Sequence, residues 1–205
     1  MRKLTTTSLA LALTFTAASA MAANVTIGLG PGGALGRSVT PEESGDANGP
    51  PAEAKVYEFI VTSDADILRV GDVFIDTGGA GLYNNATGSN TAPPNPAFVA
   101  VFPSLGADSW ITTPGAGTST AGGDLGDDNA SWFDTTNDGP VTDFTFARLT
   151  TTGALNSFRG VISVAGSGGP EVFPFNITFG IPEPTSLALF GVGVVGLALA
   201  GRRRQ

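Results

Sequence analysis

The chain has 205 residues, with 10 basic and 18 acidic side chains, a formal net charge of −8, no His and no Cys. Without those two residue types there is no Ser-His-Asp or Cys-His catalysis, no imidazole metal site, no disulfide and no iron–sulfur ligation. The acidity withholds the clustered Lys and Arg that a phosphate backbone requires, which argues against nucleic acid as a partner.

In chain order, the first element is a leader. Arg2 and Lys3 precede a Leu- and Ala-rich stretch from Leu9 to Ala18, and Ala20-Met21-Ala22 fits the small-x-small rule of signal peptidase. Residues 1–23 therefore read as a secretory signal peptide cut after Ala22 or Ala23. Thr5, Thr6, Thr7, Thr14 and Thr16 make a poor face for the alternative, an amphipathic first helix. Five of the ten basic residues stand at the two ends of the chain, whereas the stretch from Asn24 to Ile181 holds 5 basic and 17 acidic residues. Cations retained inside at both ends place this acidic body outside the membrane.

After a first strand near 24–29, residues up to Ala54 carry Gly, Pro and acidic side chains with little apolar period. The segment 24–54 thus reads as a mobile Gly/Pro-rich acidic arm. The body from 55 to 181 reads as an antiparallel β-sandwich or jelly roll. Val and Ile outnumber Leu in it, and apolar residues alternate at Tyr57, Phe59 and Val61 and again at Phe173, Phe175, Ile177 and Phe179. Strands are expected near 55–62, 66–76, 97–103, 108–113, 141–150, 157–165 and 171–179, joined by Gly, Pro, Asn and Asp turns. The stretches 84–96 and 114–128 are long polar loops.

Several local patterns resemble chemistry. Gly28-Leu29-Gly30-Pro31-Gly32-Gly33 fits the dinucleotide fingerprint on paper, but no helix follows it and Pro31 intrudes. Asp124, Asp127 and Asp128, followed by Trp132, form the candidate ligand loop of the body. Clustered carboxylates suit calcium, a hard cation, although the spacing departs from the EF-hand loop, and a solvated turn-rich loop explains the same composition. No other cofactor or metal is expected. An aromatic face beside Asp and Asn also suits a sugar, although large aromatics more often fill cores. Glu42, Glu43, Glu53, Glu58 and Glu171 are the only glutamates of the body, and a glycosidase needs a matched acid pair, so the expectation is a protein without catalytic residues. Four Asn-X-Ser/Thr sequons, at Asn24, Asn85, Asn129 and Asn176, are not informative in a chain so rich in Ser and Thr.

The end of the chain is the most specific part. Leu187 to Gly201 are free of charge and of side-chain hydrogen-bonding groups, and Arg202, Arg203 and Arg204 follow. As a helix this stretch spans about 22 Å, a marginal transmembrane helix against a hydrocarbon core of about 30 Å. Immediately before it stand Pro182, Glu183 and Pro184. Pro-Glu-Pro, a short apolar helix and a terminal arginine cluster on an exported chain together resemble the PEP-CTERM sorting signal of Gram-negative bacteria. The resemblance covers residues 182–205, with Ile181 where the family often has Val. It implies recognition of Pro182, Glu183 and Pro184 by an exosortase-like enzyme, after signal peptidase has acted. It further implies brief membrane anchoring through residues 187–201 and release to the cell surface or an exopolysaccharide matrix. Proline biases its predecessor toward extended backbone, which suits presentation to an enzyme at the membrane surface. The function expected is that of a noncatalytic surface or matrix protein; the alternative is a carbohydrate-binding module acting on exopolysaccharide.

Overall fold

In a computed structural model, residues 22–115, 119–121, 125 and 130–179 are described. Residues 1–21 of the expected leader, Pro182 to Pro184, the apolar stretch 187–201, the terminal arginines, and Asp124, Asp127 and Asp128 lie outside them. The strands are β1 (Val25–Leu29), β2 (Arg37–Ser38), β3 (Lys55–Ser63), β4 (Ile67–Asp76), β5 (Trp110–Ile111), β6 (Ser119–Ala121), β7 (Ala130–Phe133), β8 (Val141–Thr151), β9 (Ser157–Gly166) and β10 (Gly169–Thr178). They form two five-stranded antiparallel sheets. The first runs β1-β3-β8-β5, with β2 also on β3; the second runs β10-β9-β4-β7-β6. Among the described residues no helix is long and apolar enough to cross a membrane.

Period-two alternation builds the core. On β3, Tyr57, Phe59 and Val61 point to one face, where they meet Phe146 and Leu149 of β8. From the second sheet come Ile67 and Val70 of β4, Trp132 of β7, Phe158, Ile162 and Val164 of β9, and Phe175 of β10. Phe59 and Phe158 meet across the layers with ring centroids 4.4 Å apart, and Phe158 stands edge-on to Phe175 at 5.0 Å. Such tilted and edge-on geometries set the positive rim of one ring against the negative face of another. The two sheets thus share a single interior.

The other face of β3 carries the even residues, Val56 and Glu58, and it too is covered. Val56 joins Val39, Ala54 and Ala107 in a small second core. Its cover comes from the segment read as an arm. β1 pairs with β3 from Val25↔Ser63 to Leu29↔Phe59, and β2 pairs with the start of β3. Helix α1 (Pro41–Gly45) follows, capped by Thr40 and Glu43 in a reciprocal capping box with Pro41 in the first turn. A segment with no long apolar period is held here by strand pairing and polar contacts, neither of which leaves a hydrophobic stripe in the sequence.

Two other expectations change. The stretch 97–103 is not a strand. Asn95 accepts a hydrogen bond from the Ala97 N–H and Pro96 occupies the first helical position, so Pro96–Val99 forms one turn of helix, α2, followed by a 3-10 turn at Pro103–Ala107. The strand expected over 108–113 shrinks to β5, because Asp108 turns away to bind backbone N–H groups of Asn85 and Ser89. β4 is a strand as expected, but it bulges at Asp72, whose φ of 51° is left-handed and whose carboxylate pairs with Arg69.

Candidate functional site

The best-formed polar site lies on the covered outer face of the first sheet. Glu58 on β3 and Arg148 on β8 are cross-strand partners, as are Trp110 on β5 and Arg148. Arg148 donates to Glu58 Oε1 from Nη2 at 2.6 Å and from Nε at 2.9 Å, and its guanidinium lies 5.5 Å from the Trp110 ring centroid. A second pair approaches from the N-terminal cover. Arg37 on β2 grips both oxygens of Glu43 on α1, each at 2.8 Å. The two arginines converge on one backbone oxygen, the carbonyl of Gly106, at 2.9 Å from Arg37 Nη2 and 2.8 Å from Arg148 Nη1. Gly106 is required for this approach, since a Cβ there would stand 2.7 Å from Glu43 Oε1.

Arg37, Glu43, Gly106 and Arg148 line an open cleft of about 460 Å³ together with Pro93, Pro94, Pro96 and Val99. Beside it α2 and the residues after it leave large apolar side chains in solvent: Phe98 is 60% exposed and Phe102 51%. The cleft is lined by two cations, Arg37 and Arg148, and one anion, Glu43. Burial pushes the Glu43 carboxyl up, but the Arg37 hydrogen bond, the Thr40 N–H and the charges of Arg37 and Arg148 outweigh it, and the group sits below its usual range. Glu43 is therefore an ionised strut, not a proton donor.

Behind it runs a second polar network. Ser104 donates to Asp46 at 2.6 Å, Asn85 donates to Ser104 at 2.8 Å and to the Tyr83 hydroxyl at 3.1 Å, and the Tyr83 O–H donates to the carbonyl of Asn48. Asp108 closes it. Burial raises its carboxyl above the usual range, against the backbone hydrogen bonds from Asn85, Ser89 and Ser109 and the charge of Arg148. Its oxygens are engaged in fixing the 85–89 turn.

Of the residues singled out by sequence for the ligand loop, Trp132 alone is described. It lies on β7 at 1% exposure, inside the shared core. An indole so placed offers no face to a sugar. Among the described residues no group of three or more acidic side chains is placed to hold a metal ion. Arg37, Glu43, Glu58 and Arg148 were not foreseen as a unit. Two signals for them exist in the sequence: cations are scarce in this acidic body, and Thr40-Pro41-Glu42-Glu43 has the spacing of a capping box.

Comparison with known proteins identifies one segment. Residues 180–204 match the PEP-CTERM protein-sorting motif. The chain therefore carries the tail that Pro182, Glu183, Pro184 and Arg202 to Arg204 resemble, and that tail marks it for export and for exosortase-dependent sorting to the cell surface. No curated protein and no solved structure matches the chain.

Proposed function

We propose that the protein is a noncatalytic β-domain delivered to the cell surface or the extracellular polysaccharide matrix. There the body acts through its surfaces, and the tail serves only for delivery. The observation that carries this reading is the sorting motif at 180–204, joined to an acidic body that has neither His nor Cys. The engagement of the Glu43 and Glu58 carboxylates by Arg37 and Arg148 supports the noncatalytic part, since both are committed to contacts within the fold. On this reading the apolar stretch 187–201 is a pause in the membrane and not a permanent span, because 15 residues are marginal for crossing it.

The test is the mass of the mature protein. In a host that encodes the sorting enzyme, surface protein is expected to lack the tail, and Glu183→Ala is expected to leave a membrane-bound precursor. Mature surface protein that still carries residues 187–205 would overturn the transient-anchor reading. Turnover of a chromogenic glycoside, abolished by a single carboxylate substitution, would overturn the noncatalytic one.

A further inference from the structure

The N-terminal edge of the body is built around backbone nitrogens. The Asn24 N–H donates to Asp64 Oδ1 at 2.7 Å, the Asn24 side-chain amide donates to Asp64 Oδ2 at 2.8 Å, and the Asp64 N–H donates back to the Asn24 carbonyl at 3.2 Å. One residue earlier, the Ala23 N–H donates to Glu171 Oε2 on β10 at 3.1 Å, an interaction between residues 148 positions apart. The Glu171 carboxylate lies directly over Gly166, where a Cβ would stand 2.2 Å from Oε1, so a glycine is needed for the side chain to lie there. Ala22 is exposed and Ala23 half-buried, at the mouth of a cavity of about 370 Å³ walled by Asp64, Ala165 and Gly166. The fold thus has a carboxylate aimed at one particular nitrogen, at the boundary between leader and body.

We propose that signal peptidase cuts between Ala22 and Ala23 and that the ammonium so created docks on Glu171, so that maturation adds an ion pair that ties β1 of the first sheet to β10 of the second. The inference rests on the exported reading given above. Of the two cuts compatible with the leader, the one after Ala22 leaves small residues at both required positions, Ala20 and Ala22, whereas the one after Ala23 would set Met21 where a small side chain is needed. The chemistry balances with water alone. Hydrolysis breaks the Ala22–Ala23 amide, the carboxylate leaves with the leader, and the Ala23 amine takes up a proton. The uncut chain presents a neutral amide N–H to Glu171, whereas the cut chain presents a cation. The cut accompanies export and precedes folding, so the ammonium reaches its socket as the sheets close.

The titratable groups that accept from the backbone nitrogens here are Glu171 of β10, from Ala23, and Asp64 of the β3–β4 turn, from Asn24. A carboxylate partner raises the folded pKa of an ammonium above its unfolded value of about 7.7–8.0. The stabilisation is therefore complete below that value and is lost as pH rises through the folded pKa. Full-length protein, expressed and exported in a Gram-negative host, should give an N-terminus at Ala23 by intact mass. At about pH 6, well below the ammonium's unfolded value, wild type should melt about 1–4 °C above Glu171→Gln, and the gap should close by about pH 10. The α-amine, titrated by NMR after reductive methylation, should have a lower pKa in Glu171→Gln than in wild type. A terminus at Asn24, a melting gap independent of pH, or an unchanged amine titration would each overturn the socket. Retention of the leader would instead overturn the exported reading itself.

Discussion

The two faces of β3 differ in how they are covered. Its odd residues enter an interior assembled almost wholly from strand residues of two sheets, where Phe59, Phe146, Phe158 and Phe175 pack ring against ring. Its even residues meet a layer of turns and short helices in which charge does much of the joining, through Arg37, Glu43, Glu58, Arg148 and one carbonyl oxygen. The first face depends on apolar area and the second on directed polar contacts. That difference decides what each loses on substitution and how each responds to pH.

The largest effect belongs to the apolar face. Phe158 has no exposed surface and touches rings from both sheets, so Phe158→Ala removes transfer energy and leaves a cavity that strands cannot easily close. The expected loss is about 3–5 kcal/mol, read as a fall in urea midpoint with little change in slope. A loss below about 1 kcal/mol would mean that the two sheets do not depend on this ring stack.

The polar face should give a smaller, pH-dependent loss. Glu43→Gln keeps the size of the side chain and part of the capping box but removes the charge that Arg37 grips. The expected cost is about 1–2 kcal/mol at neutral pH, since Arg37 is partly solvated. The Glu43 carboxyl is depressed in the folded state, so the stability it contributes is present above its unfolded value of 4.5 and is lost as pH falls through the lower folded value. Urea titrations from neutral pH into this acid range should therefore show wild type converging on the variant. A gap that stays constant down to the lowest pH would show that Glu43 acts through packing rather than charge.

Legibility in the sequence followed the same division. β3, β9 and β10 were visible because apolar residues alternate along them, at Tyr57, Phe59 and Val61, at Phe158, Ile162 and Val164 about Gly160, and at Phe173, Phe175 and Ile177. The polar layer joins residues 90 positions apart in Glu58–Arg148 and 69 apart in Arg37–Gly106, and no local pattern encodes such a pair. The run from Phe98 to Phe102 misled because apolar content implied a strand, whereas Asn95 and Pro96 set a helical turn. Trp132 fits the expectation that large aromatics fill cores rather than the sugar-face reading: a four-residue strand carries it inward. The sorting tail was legible because its information is linear, in order and charge, and requires no fold.

Trp132 also supplies the smallest expected effect and the finest test of the contrast between the faces. Its indole Nε1–H is buried and has no hydrogen-bond partner among the described residues, and the same holds for Trp110. An unpaired buried donor costs about 1–3 kcal/mol, which offsets part of what the large ring contributes by packing. Trp132→Phe removes that donor and keeps most of the aromatic surface, at the expense of a smaller ring and some lost contact. The two changes oppose one another, and the net is expected to lie within about 1 kcal/mol of zero. Trp110→Phe should behave differently despite the same orphaned N–H, because Arg148 stacks on that indole and a phenyl ring holds a cation less well. If Trp132→Phe proved as damaging as Phe158→Ala, the indole N–H would have to be partnered, and the interior of the sandwich would depend on a polar contact as its outer face does.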